Sequence, residues 1–563
     1  MKKSKQFQPD WINEAPAKSS FRSVFKYGNP HGFKHPGYRL YNQLKIAFQL
    51  TDADFKQKES TGNEEIVYNK PSKLNPILIE QFVEICGAEN VSSNEYDRIK
   101  FSNGKTVEEA LQLRKGIIGT ISDLIVHPKN KNEVARIVAL CNQNRIPVYV
   151  YSGGSSVNLG LKPLLGGITL VLSTHMNKVL EINELNQTAR VEAGILGPAF
   201  ENVLNNAKKI YKTKHNYTCG HFPQSFQYSS VGGWFVTLGS GQQSSYYGDA
   251  GSLVLAIEVI TPVGVIKTFD YPATATGPKV SDIIKGSEGV FGIVVELIWK
   301  LYRFMPKNRQ RFGFIFPDWL SAVNASREIS QAEFGMPAVF RISDPEETHI
   351  GLKLYGIEGT IFDKLMNLRG FKPMQRCLML ASADGEKHFT KNIKNRAIKI
   401  CRKHKAMYLT SFPVKKWEHG RFNDSYLRED LMDFGIIIDT LETSVKWDNI
   451  HHVHTQCRNF VKSRPNTICM SHASHFYAQG TNLYFIFQIK ENDIDVYLQF
   501  QKGLIDTIQQ SGGSLSHHHG VGKMLGPWME KHLGKEQMNV LKALKQHFDP
   551  NNIMNPGGQL GLF

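Results

Sequence analysis

Three glycine- and serine-rich segments constrain the fold of this 563-residue chain more than any other feature. They are residues 152–157, 220–241 and 285–293, and the first and third lie directly beside strand-like runs. Glycine lacks a Cβ, so consecutive backbone N–H groups can turn toward an anion, and serine hydroxyls add donors. The first segment alone is equally typical of a plain turn, and it lacks the G-x-G-x-x-G spacing of an ordinary dinucleotide-binding fold. Such a glycine-serine loop suits a diphosphate.

The pattern of helix-like and strand-like runs predicts more than one domain, because a chain of this length exceeds a single core. Strands and helices alternate from about residue 117, and an amphipathic helix with Val134, Ile137, Val138 and Cys141 on one face follows residues 128–133. Residues 310–500 mix helices and strands in the manner of a separate α+β domain. Two later helices are predicted at 492–510, with Val496, Phe500, Leu504 and Ile508 on one face, and at 535–548.

The charge balance narrows the classes of partner. Lys and Arg number 67 and Asp and Glu 51, which gives a formal net charge of +16. This excess suits an anionic substrate, an anionic membrane surface or nucleic acid. No nucleic-acid-binding module accompanies it, so nucleic acid is not a predicted partner.

Cysteine usage and the chain ends indicate a compartment. The seven cysteines are scattered without a CxxC pair, which favours a reducing environment over a disulfide framework. The first residues do not lead into an apolar stretch, no run reaches 18 apolar residues, and the chain ends in Leu-Phe and not in a peroxisomal address. We therefore expect no secretory or peroxisomal signal and a cytoplasmic protein, with peripheral contact on the inner membrane face.

One run near the end carries titratable groups. Residues 512–523 read Gly-Gly-Ser-Leu-Ser-His-His-His-Gly-Val-Gly-Lys, so His517, His518 and His519 are consecutive and two glycines follow. Consecutive side chains do not easily converge on one ion, so these three alone predict no metal site. The run indicates a catalytic or anion-binding role, with an exposed polar turn as the alternative.

Taken together, the three glycine-serine segments resemble the FAD-binding domain of the vanillyl-alcohol-oxidase (PCMH) type, over about residues 117–305. The resemblance implies FAD as the cofactor. Some members of this family tether FAD through a histidine in the first loop, where this chain has Ser155, so the bound FAD is expected to be non-covalent. The implied cofactor-binding residues are Tyr151, Ser152, Gly153, Gly154, Ser155, Ser156, Val157, His221, Gln224, Ser225, Ser230, Val231, Gly232, Gly233, Thr237, Gly239, Ser240, Gly286, Ser287, Glu288, Gly289, Gly292 and Ile293.

The same resemblance implies an α+β fold with four parts. We expect an N-terminal extension that packs on the body at 1–105 and a two-subdomain FAD-binding domain at 106–305. A substrate (cap) domain of α+β type would follow at 306–510, and a helical C-terminal segment at 511–563 would return the histidine run to the flavin.

Motifs in the second half of the chain distinguish two branches of this family. FAD-linked D-2-hydroxyacid dehydrogenases carry His-x-Gly-Asp-Gly-Asn-x-His and Gly-Glu-His-Gly elements that bind a divalent metal. Here tyrosines, Tyr477 and Tyr484, replace both histidines of the first element, and His518 stands at the glutamate position of the second. Because phenols are poor ligands and a carboxylate is missing, no metal is predicted.

Residues 117–555 instead resemble the alkyldihydroxyacetonephosphate synthase family. That family has a Tyr-x-x-Gly-x-x-x-Tyr-Phe element, matched by 477–485, and a histidine run matched without a gap by 512–523. Two family arginines correspond to Arg428 and Arg341. The resemblance implies a transferase that replaces the acyl group of acyl-dihydroxyacetone phosphate by a fatty alcohol without net redox change. The implied catalytic residues are Tyr484, as general acid/base with its pKa lowered by a neighbouring cation, and His517, His518 and His519.

Arg428 and Arg341 are the implied substrate-binding residues, with Arg428 as a planar fork for the phosphate. Each assignment has a structural alternative: Tyr484 as a core tyrosine, Arg428 paired with Glu429 or Asp430, Arg341 in an ion pair, and His221 as a turn cap. His472 also replaces an arginine of eukaryotic members, and residues 220–225 lack two family carboxylates.

The main alternative function is an FAD-dependent oxidase or dehydrogenase of a hydroxyl-bearing substrate such as a D-2-hydroxyacid. The synthase resemblance implies a lipid phosphate and a fatty alcohol as substrates. It also implies peripheral contact with a membrane and a homodimer.

Overall fold

The computed structural model describes residues 9–57 and 59–563. Between residues 9 and 145, apart from residue 58, six α-helices alternate with irregular segments and two short strands. The helices here are α1 (Phe21–Phe25), α2 (Tyr38–Phe48), α3 (Pro76–Cys86), α4 (Glu95–Lys100), α5 (Val107–Arg114) and α6 (Lys131–Asn144). The α6 helix is the predicted amphipathic helix: Asn130 caps its first turn, and Val134, Ile137, Val138 and Cys141 are all buried, which confirms that prediction.

A four-stranded sheet forms the first subdomain, in the order β1-β2-β4-β3. Its strands are β1 (Val91–Ser92), β2 (Leu124–Val126), β3 (Val148–Tyr151) and β4 (Ile168–Val171). The central strands are parallel, and β1 adds an antiparallel edge. Because β1 lies within residues 1–105, the N-terminal extension supplies a strand of this sheet in addition to packing on it.

The second subdomain is a five-stranded antiparallel sheet in the order β5-β6-β10-β8-β9, with a short β7-β11 pair beside it. The strands are β5 (Val179–Asn183), β6 (Thr188–Glu192), β7 (Tyr217–Thr218), β8 (Val254–Thr261), β9 (Gly264–Lys267), β10 (Ile293–Lys300) and β11 (Tyr302–Arg303). The helices are α7 (Gly197–Asn205), α8 (Ala207–Ile210), α9 (Val231–Val236), α10 (Ser244–Tyr247), α11 (Ala250–Leu253) and α12 (Val280–Ile284).

A seven-stranded antiparallel sheet in the order β15-β12-β14-β13-β17-β18-β16 forms the cap. Its strands are β12 (Gln310–Phe316), β13 (Val339–Ser343), β14 (Cys377–Ala383), β15 (Met407–Tyr408), β16 (Ile436–Lys446), β17 (Ile468–Ser474) and β18 (Gly480–Lys490). The helices are α13 (Trp319–Gln331), α14 (Pro345–Leu354), α15 (Ile361–Leu368), α16 (Lys387–Lys403), α17 (Phe412–Gly420), α18 (Asp424–Met432), α19 (Ile450–Ser463) and α20 (Ile494–Gln510).

The last segment carries α21 (Met529–Leu533) and α22 (Lys535–Phe548) and then returns to the first sheet. Val148 N–H donates to Ile553 O at 2.7 Å, and Asn555 N–H donates to Val148 O at 2.9 Å. The α22 helix has the predicted bounds. The α20 helix also forms, but its buried face is Tyr497, Gln501, Leu504, Ile505 and Ile508. The prediction that Val496 shares this face is wrong, because Val496 is 41% exposed.

No helix within 9–57 and 59–563 combines the length and the apolar character needed to cross a membrane.

A buried ion cluster joins the N-terminal region to the cap. Arg22 of α1 contacts Asp433 through two bonds of 2.8 and 2.9 Å, and Arg114 of α5 contacts the same carboxylate at 2.7 Å. All three side chains are almost fully buried. Burial would raise the pKa of Asp433, but Arg114 and Arg22 outweigh it and hold the pKa below its usual range. The cluster fixes where the N-terminal region meets α18, which leads into the site.

We expect Asp433→Asn to lower the free energy of unfolding by about 3 kcal/mol or more, because two buried guanidinium groups lose their counter-charge. The wild-type protein should also lose stability as the pH falls through the depressed pKa of Asp433, whereas the variant has lost that dependence. Chemical denaturation at several pH values measures both effects. The control is Glu89→Gln, which removes an exposed ion pair with Lys129 and should change little. Equal stability of the two variants would contradict the role given to the cluster.

Candidate active site

A cavity of about 1090 Å³ lies where the two FAD-type subdomains, the cap and the C-terminal segment meet. One wall is formed by the predicted glycine-serine segments, and the opposite wall by the cap strands β13, β16, β17 and β18 with helices α14 and α18. The cavity surface is mainly apolar, and polar side chains occur on both walls. This composition suits a ligand with a polar head and a long apolar part.

The first glycine-serine loop, residues 152–157, presents unpaired donors to the cavity. Among the residues that the structure describes, none accepts a hydrogen bond from the backbone N–H groups of 153–157. A Cβ at Gly153 would lie 1.8 Å from Tyr228 O, so this backbone approaches its neighbour more closely than any other residue type allows. A row of free N–H groups fits a diphosphate.

The second and third segments complete the same wall. Ser230 caps α9 by accepting from Gly233 N–H at 3.1 Å, and Gly232 packs against Ala193 so closely that a Cβ would come within 2.6 Å. Gly289 adopts a positive φ of 82° and faces open space in the cavity. The donor set and the close-packed glycines therefore fit an extended dinucleotide such as FAD.

Most of the predicted cofactor residues line the cavity. They include Ser155, which stands where other family members have a tethering histidine. Those that lie behind the wall are Tyr151, His221, Val231, Gly286 and Ser287. His221 is fully buried between Trp234 and Trp299, with ring centroids 4.7 and 5.9 Å away, and burial lowers its pKa to about 3. His221 is therefore neutral and does not itself line the cavity, but neither ring nitrogen has a hydrogen-bond partner among the described residues, so its predicted role toward the cofactor stays a prediction.

Glu288 fastens the third segment to the histidine run. Its carboxylate accepts from Val521 N–H at 2.6 Å and from Gly522 N–H at 2.8 Å, and it also accepts from Gln559. Lys523 extends the contact by donating to Asn555 at 2.8 Å. Burial raises the pKa of Glu288 to about 7. These bonds bring the C-terminal segment back to the wall of the cavity.

Glu442 of β16 holds the histidine run from the other side. Its Oε1 accepts from Ser516 Oγ at 2.6 Å and from the N–H groups of His518 and His519 at 3.1 and 3.0 Å. Its Oε2 accepts from His517 N–H at 2.7 Å and from Asn482 Nδ2 at 3.0 Å. Burial would raise the pKa of Glu442, but the histidines and these bonds outweigh it and lower the pKa. A buried carboxylate thus shapes the turn that presents the three imidazoles.

The prediction that a carboxylate is missing beside the histidine run is wrong, because Glu442 supplies one from a distant strand. Glu442, His517 and His518 place ligand atoms within 4.8 Å of one another, as a metal site requires. However, the five hydrogen bonds already occupy the lone pairs that a carboxylate has to offer. The observed arrangement is that of a structural clamp.

Tyr484 of β18 lies between two imidazoles in the cavity. Its ring stacks on His472 with centroids 4.8 Å apart and an interplanar angle of 17°, and on His518 at 6.0 Å and 20°. Burial raises the pKa of Tyr484 to about 12 and lowers the pKa values of His472 and His518. The predicted lowering of the tyrosine pKa by a nearby cation is therefore wrong: the phenol is protonated between two neutral rings.

The remaining histidines form a second polar cluster. His517 Nε2 lies 2.8 Å from Tyr477 Oη, and the His475 ring lies 5.2 Å from that of His517 and 4.8 Å from that of His518. His475 Nδ1 lies 2.6 Å from Ser244 Oγ, and the residue adopts a positive φ of 53°. A strained backbone at a buried histidine is typical of functional sites. Sequence reasoning missed His475, and no motif pointed to it.

The two predicted arginines differ in their partners. Arg428 on α18 lines the cavity, forms no salt bridge with any described residue, and has a buried Nε without a hydrogen-bond partner. Glu429 and Asp430, its suggested partners, face Lys26 and His35 instead. Arg341 on β13 is paired with Glu347 of α14, a residue the sequence did not indicate. Of the two predicted arginines, Arg428 is therefore the one whose positive charge is not paired within the described residues.

Lys105 adds a second cation to this region. Its ammonium group is buried at the cavity wall and donates to Val24 O at 2.5 Å. Burial lowers its pKa to about 8. Because Lys105 belongs to a segment without a recognised motif, only the folded chain reveals it. Arg428 and Lys105 together suit an anionic group.

Comparisons with known proteins agree with this geometry. Residues 122–270 match the family described as FAD binding domain, and residues 305–558 match FAD linked oxidases, C-terminal domain. The chain is 28% identical to an alkyldihydroxyacetonephosphate synthase from Trypanosoma brucei brucei over 93% of this chain and 87% of that protein. A solved alkyldihydroxyacetonephosphate synthase structure superposes with a TM-score of 0.79 at 26% identity, covering 96% of this chain and all of the other.

The relative from Dictyostelium discoideum, also an alkyldihydroxyacetonephosphate synthase, is 31% identical over 511 residues, which is 87% of this chain and 82% of that protein. The predicted α+β fold with an FAD-binding domain and a cap is confirmed by these matches, and the cofactor is FAD. The chain belongs to the alkyldihydroxyacetonephosphate synthase family of FAD-linked enzymes.

Proposed function

We propose that this protein is an alkyldihydroxyacetonephosphate synthase, which exchanges the acyl group of acyl-dihydroxyacetone phosphate for a fatty alcohol and so forms an ether bond. The observation that carries this proposal is the unpaired Arg428 in a large apolar cavity that is also lined by Tyr484, His518 and His519. A lipid phosphate has one anionic end and one long apolar end, and the cavity offers a site for each.

Arg428 is proposed to bind the phosphate, because a planar guanidinium without a protein partner can donate two parallel bonds to phosphate oxygens. Lys105 adds charge nearby. Arg341 is a weaker candidate, since the Glu347 carboxylate already neutralises it and would repel a phosphate. The free cations thus place the head group toward α18, with the carbon chains directed into the apolar part of the cavity.

Tyr484 is proposed to act first as a proton donor. Its phenol is protonated at neutral pH, and the neutral His518 on one of its faces can accept a proton in turn. When bound, FAD supplies the electron-accepting ring system at which the exchange takes place. Ser155, at the position of a tethering histidine, supports non-covalent FAD. The clamp at Glu442 holds His518 and His519 at the cavity wall, whereas His517 lies beside Tyr477 outside the cavity lining.

Peripheral membrane contact is proposed through the surface around α15. Ile361 and Leu368 are 87% and 86% exposed, and Phe362 of the same helix lines the cavity. Phe412 of α17 is both exposed and part of the cavity lining. Exposed cations close to this helix are Lys364, Arg369 and Lys372. An apolar cavity rim edged with positive charge suits an anionic lipid surface. A homodimer stays a prediction.

The activity is tested anaerobically with the purified flavoprotein, palmitoyl-dihydroxyacetone phosphate and hexadecanol. We expect hexadecyl ether and free palmitate without net reduction of the flavin, because the exchange changes no oxidation state. Flavin absorbance and product analysis measure both. Steady bleaching by a D-2-hydroxyacid or another hydroxyl-bearing substrate, with no ether formed, would contradict the proposal and establish the oxidoreductase alternative.

Replacing Tyr484 by Phe should lower kcat about 100-fold or more, because general acid–base groups contribute factors of about 10² to 10⁴. The flavin absorbance of the variant should stay unchanged, since the ring and its stacking remain. The control is Tyr211→Phe, whose hydroxyl bonds Val179 O far from the cavity lining. Full turnover of Tyr484→Phe with FAD bound would remove the tyrosine from the mechanism.

The membrane surface is tested by sedimentation with vesicles that contain phosphatidylglycerol. We expect the double variant Ile361→Ser and Leu368→Ser to lose most vesicle binding, because two large exposed apolar side chains no longer enter the lipid. Leu185→Ser removes an equally exposed leucine, 93% exposed, in the turn between β5 and β6, and should bind normally. Equal binding by both variants would place the membrane contact elsewhere.

A further inference from the structure

One face of helix α14 forms a continuous strip of the cavity wall. Glu347, Ile350, Gly351, Leu354 and Tyr355 all line the cavity, and their spacing of three, four, seven and eight residues places them on one side of the helix. From Glu347 to Leu354 the strip is about 10 Å long. Its outer end is open to solvent, since Leu354 and Tyr355 are 45% and 51% exposed. The strip thus runs from a buried carboxylate to the surface along apolar side chains.

The inner end of this strip holds a carboxylate–imidazole pair. Glu347 Oε1 lies 3.3 Å from His472 Nδ1, and Arg341 contacts the same carboxylate. Burial would raise the pKa of Glu347, but Arg341 and His472 outweigh it and lower the pKa to about 2, while burial lowers that of His472. The contact has an ion-pair distance but not hydrogen-bond geometry, and the nearby carboxylate favours the tautomer with its proton on Nδ1, which leaves a lone pair on Nε2. His472 itself lines the cavity.

We propose that His472, oriented by Glu347, is the base that deprotonates the fatty alcohol, and that the alkyl chain of the alcohol lies along the α14 strip. This inference rests on the proposed function and assigns its acceptor site. His472 contacts the substrate and is catalytic. Glu347 acts through it and is a positioning residue.

The step balances as an exchange of alkoxy for acyloxy. The O–H bond of the alcohol breaks, its proton moves to His472 Nε2, and the oxygen electron pair forms the C–O ether bond. The carbon that accepts it has lost the acyloxy group, which departed with the electron pair of its own C–O bond. Nε2 then releases the proton, which leaves with the carboxylate as the fatty acid, so no oxidant or reductant is needed.

The groups around the pair favour an uncharged hydroxyl over a phosphate at this end of the cavity. Glu347 is a carboxylate, Arg341 of β13 is already paired with it, and Asp344 at the start of α14 is held by Arg458. On the remaining side lies the protonated phenol of Tyr484. A phosphate here would meet buried negative charge, whereas a hydroxyl can donate to Nε2. The phosphate is therefore assigned to Arg428 and the alcohol hydroxyl to His472.

The inference is tested by measuring acyl release and ether formation separately in the FAD-loaded protein. In His472→Asn we expect palmitate release from palmitoyl-dihydroxyacetone phosphate without alcohol to stay within about twofold of wild type. Ether formation with hexadecanol should fall about 100-fold or more. Because a more acidic alcohol needs no base, 2,2-difluorohexadecan-1-ol should restore most of the rate. That rescue also shows that the variant is folded. Glu347→Gln should show the same selective loss, and Glu347→Asp a partial recovery.

The α14 strip has its own test in Gly351→Leu. A Cβ at Gly351 would meet no atom within 4 Å, so a leucine fits the helix but narrows the cavity. We expect the KM for hexadecanol to rise about tenfold. The KM for octanol and the rate of palmitate release should change little. The control Gly420→Leu places the same side chain in open space on α17, outside the cavity lining, and should leave both KM values unchanged.

The possible results distinguish failure of the inference from failure of the proposed function. If wild type forms ether but His472→Asn forms it at an equal rate, the inference is overturned while the proposed function stands. A loss in His472→Asn that affects palmitate release equally and is not rescued by the difluoro alcohol would also overturn it. Absence of ether with wild type would overturn the proposed function itself.

Discussion

The carboxylate of Glu442 is the interaction on which the rest of the site depends. It is buried and accepts five hydrogen bonds, three of them from the consecutive backbone N–H groups of His517, His518 and His519. A run of three N–H groups that point at one carboxylate forces the backbone into a tight turn, so the imidazoles project from its outside. Glu288 fixes the following glycines in the same way. Two buried acids thus hold a polar loop against an apolar cavity.

Burial decides the protonation state of Tyr484 and of four histidines in and beside this site. It raises the pKa of Tyr484 and lowers those of His472, His475, His517 and His518, so the cavity holds neutral aromatic rings with hydrogen-bonding edges. Charge survives where it is paired, as in Arg341 with Glu347, or where the wall exposes it to a ligand, as in Arg428. Such an arrangement can move protons between neighbouring rings while Arg428 and Lys105 keep positive charge for an anionic head group.

The sequence predicted much of this arrangement because the relevant residues occur in short motifs. The loop at 152–157, the turn after Ser230 and the segment around Glu288 were identified from glycine and serine spacing, and all three line one cavity. The bounds of α22 and the buried face of α6 followed from apolar periodicity. Val496 was misplaced because Tyr497 and Gln501 face inward instead, where both donate to the buried carboxylate of Asp439 on β16.

By itself, then, the sequence determined the α+β fold with its FAD loops and the identity of Tyr484, Arg428 and the histidine run. Only the tertiary structure decided what surrounds them. Glu442 is 75 residues from the histidines that it clamps, and Glu347 is 125 residues from His472, so no local pattern links either pair. The direction of the Tyr484 pKa shift was predicted wrongly for the same reason. Desolvation and partner charges depend on what long-range folding places within a few ångströms, and spacing along a chain does not contain that information.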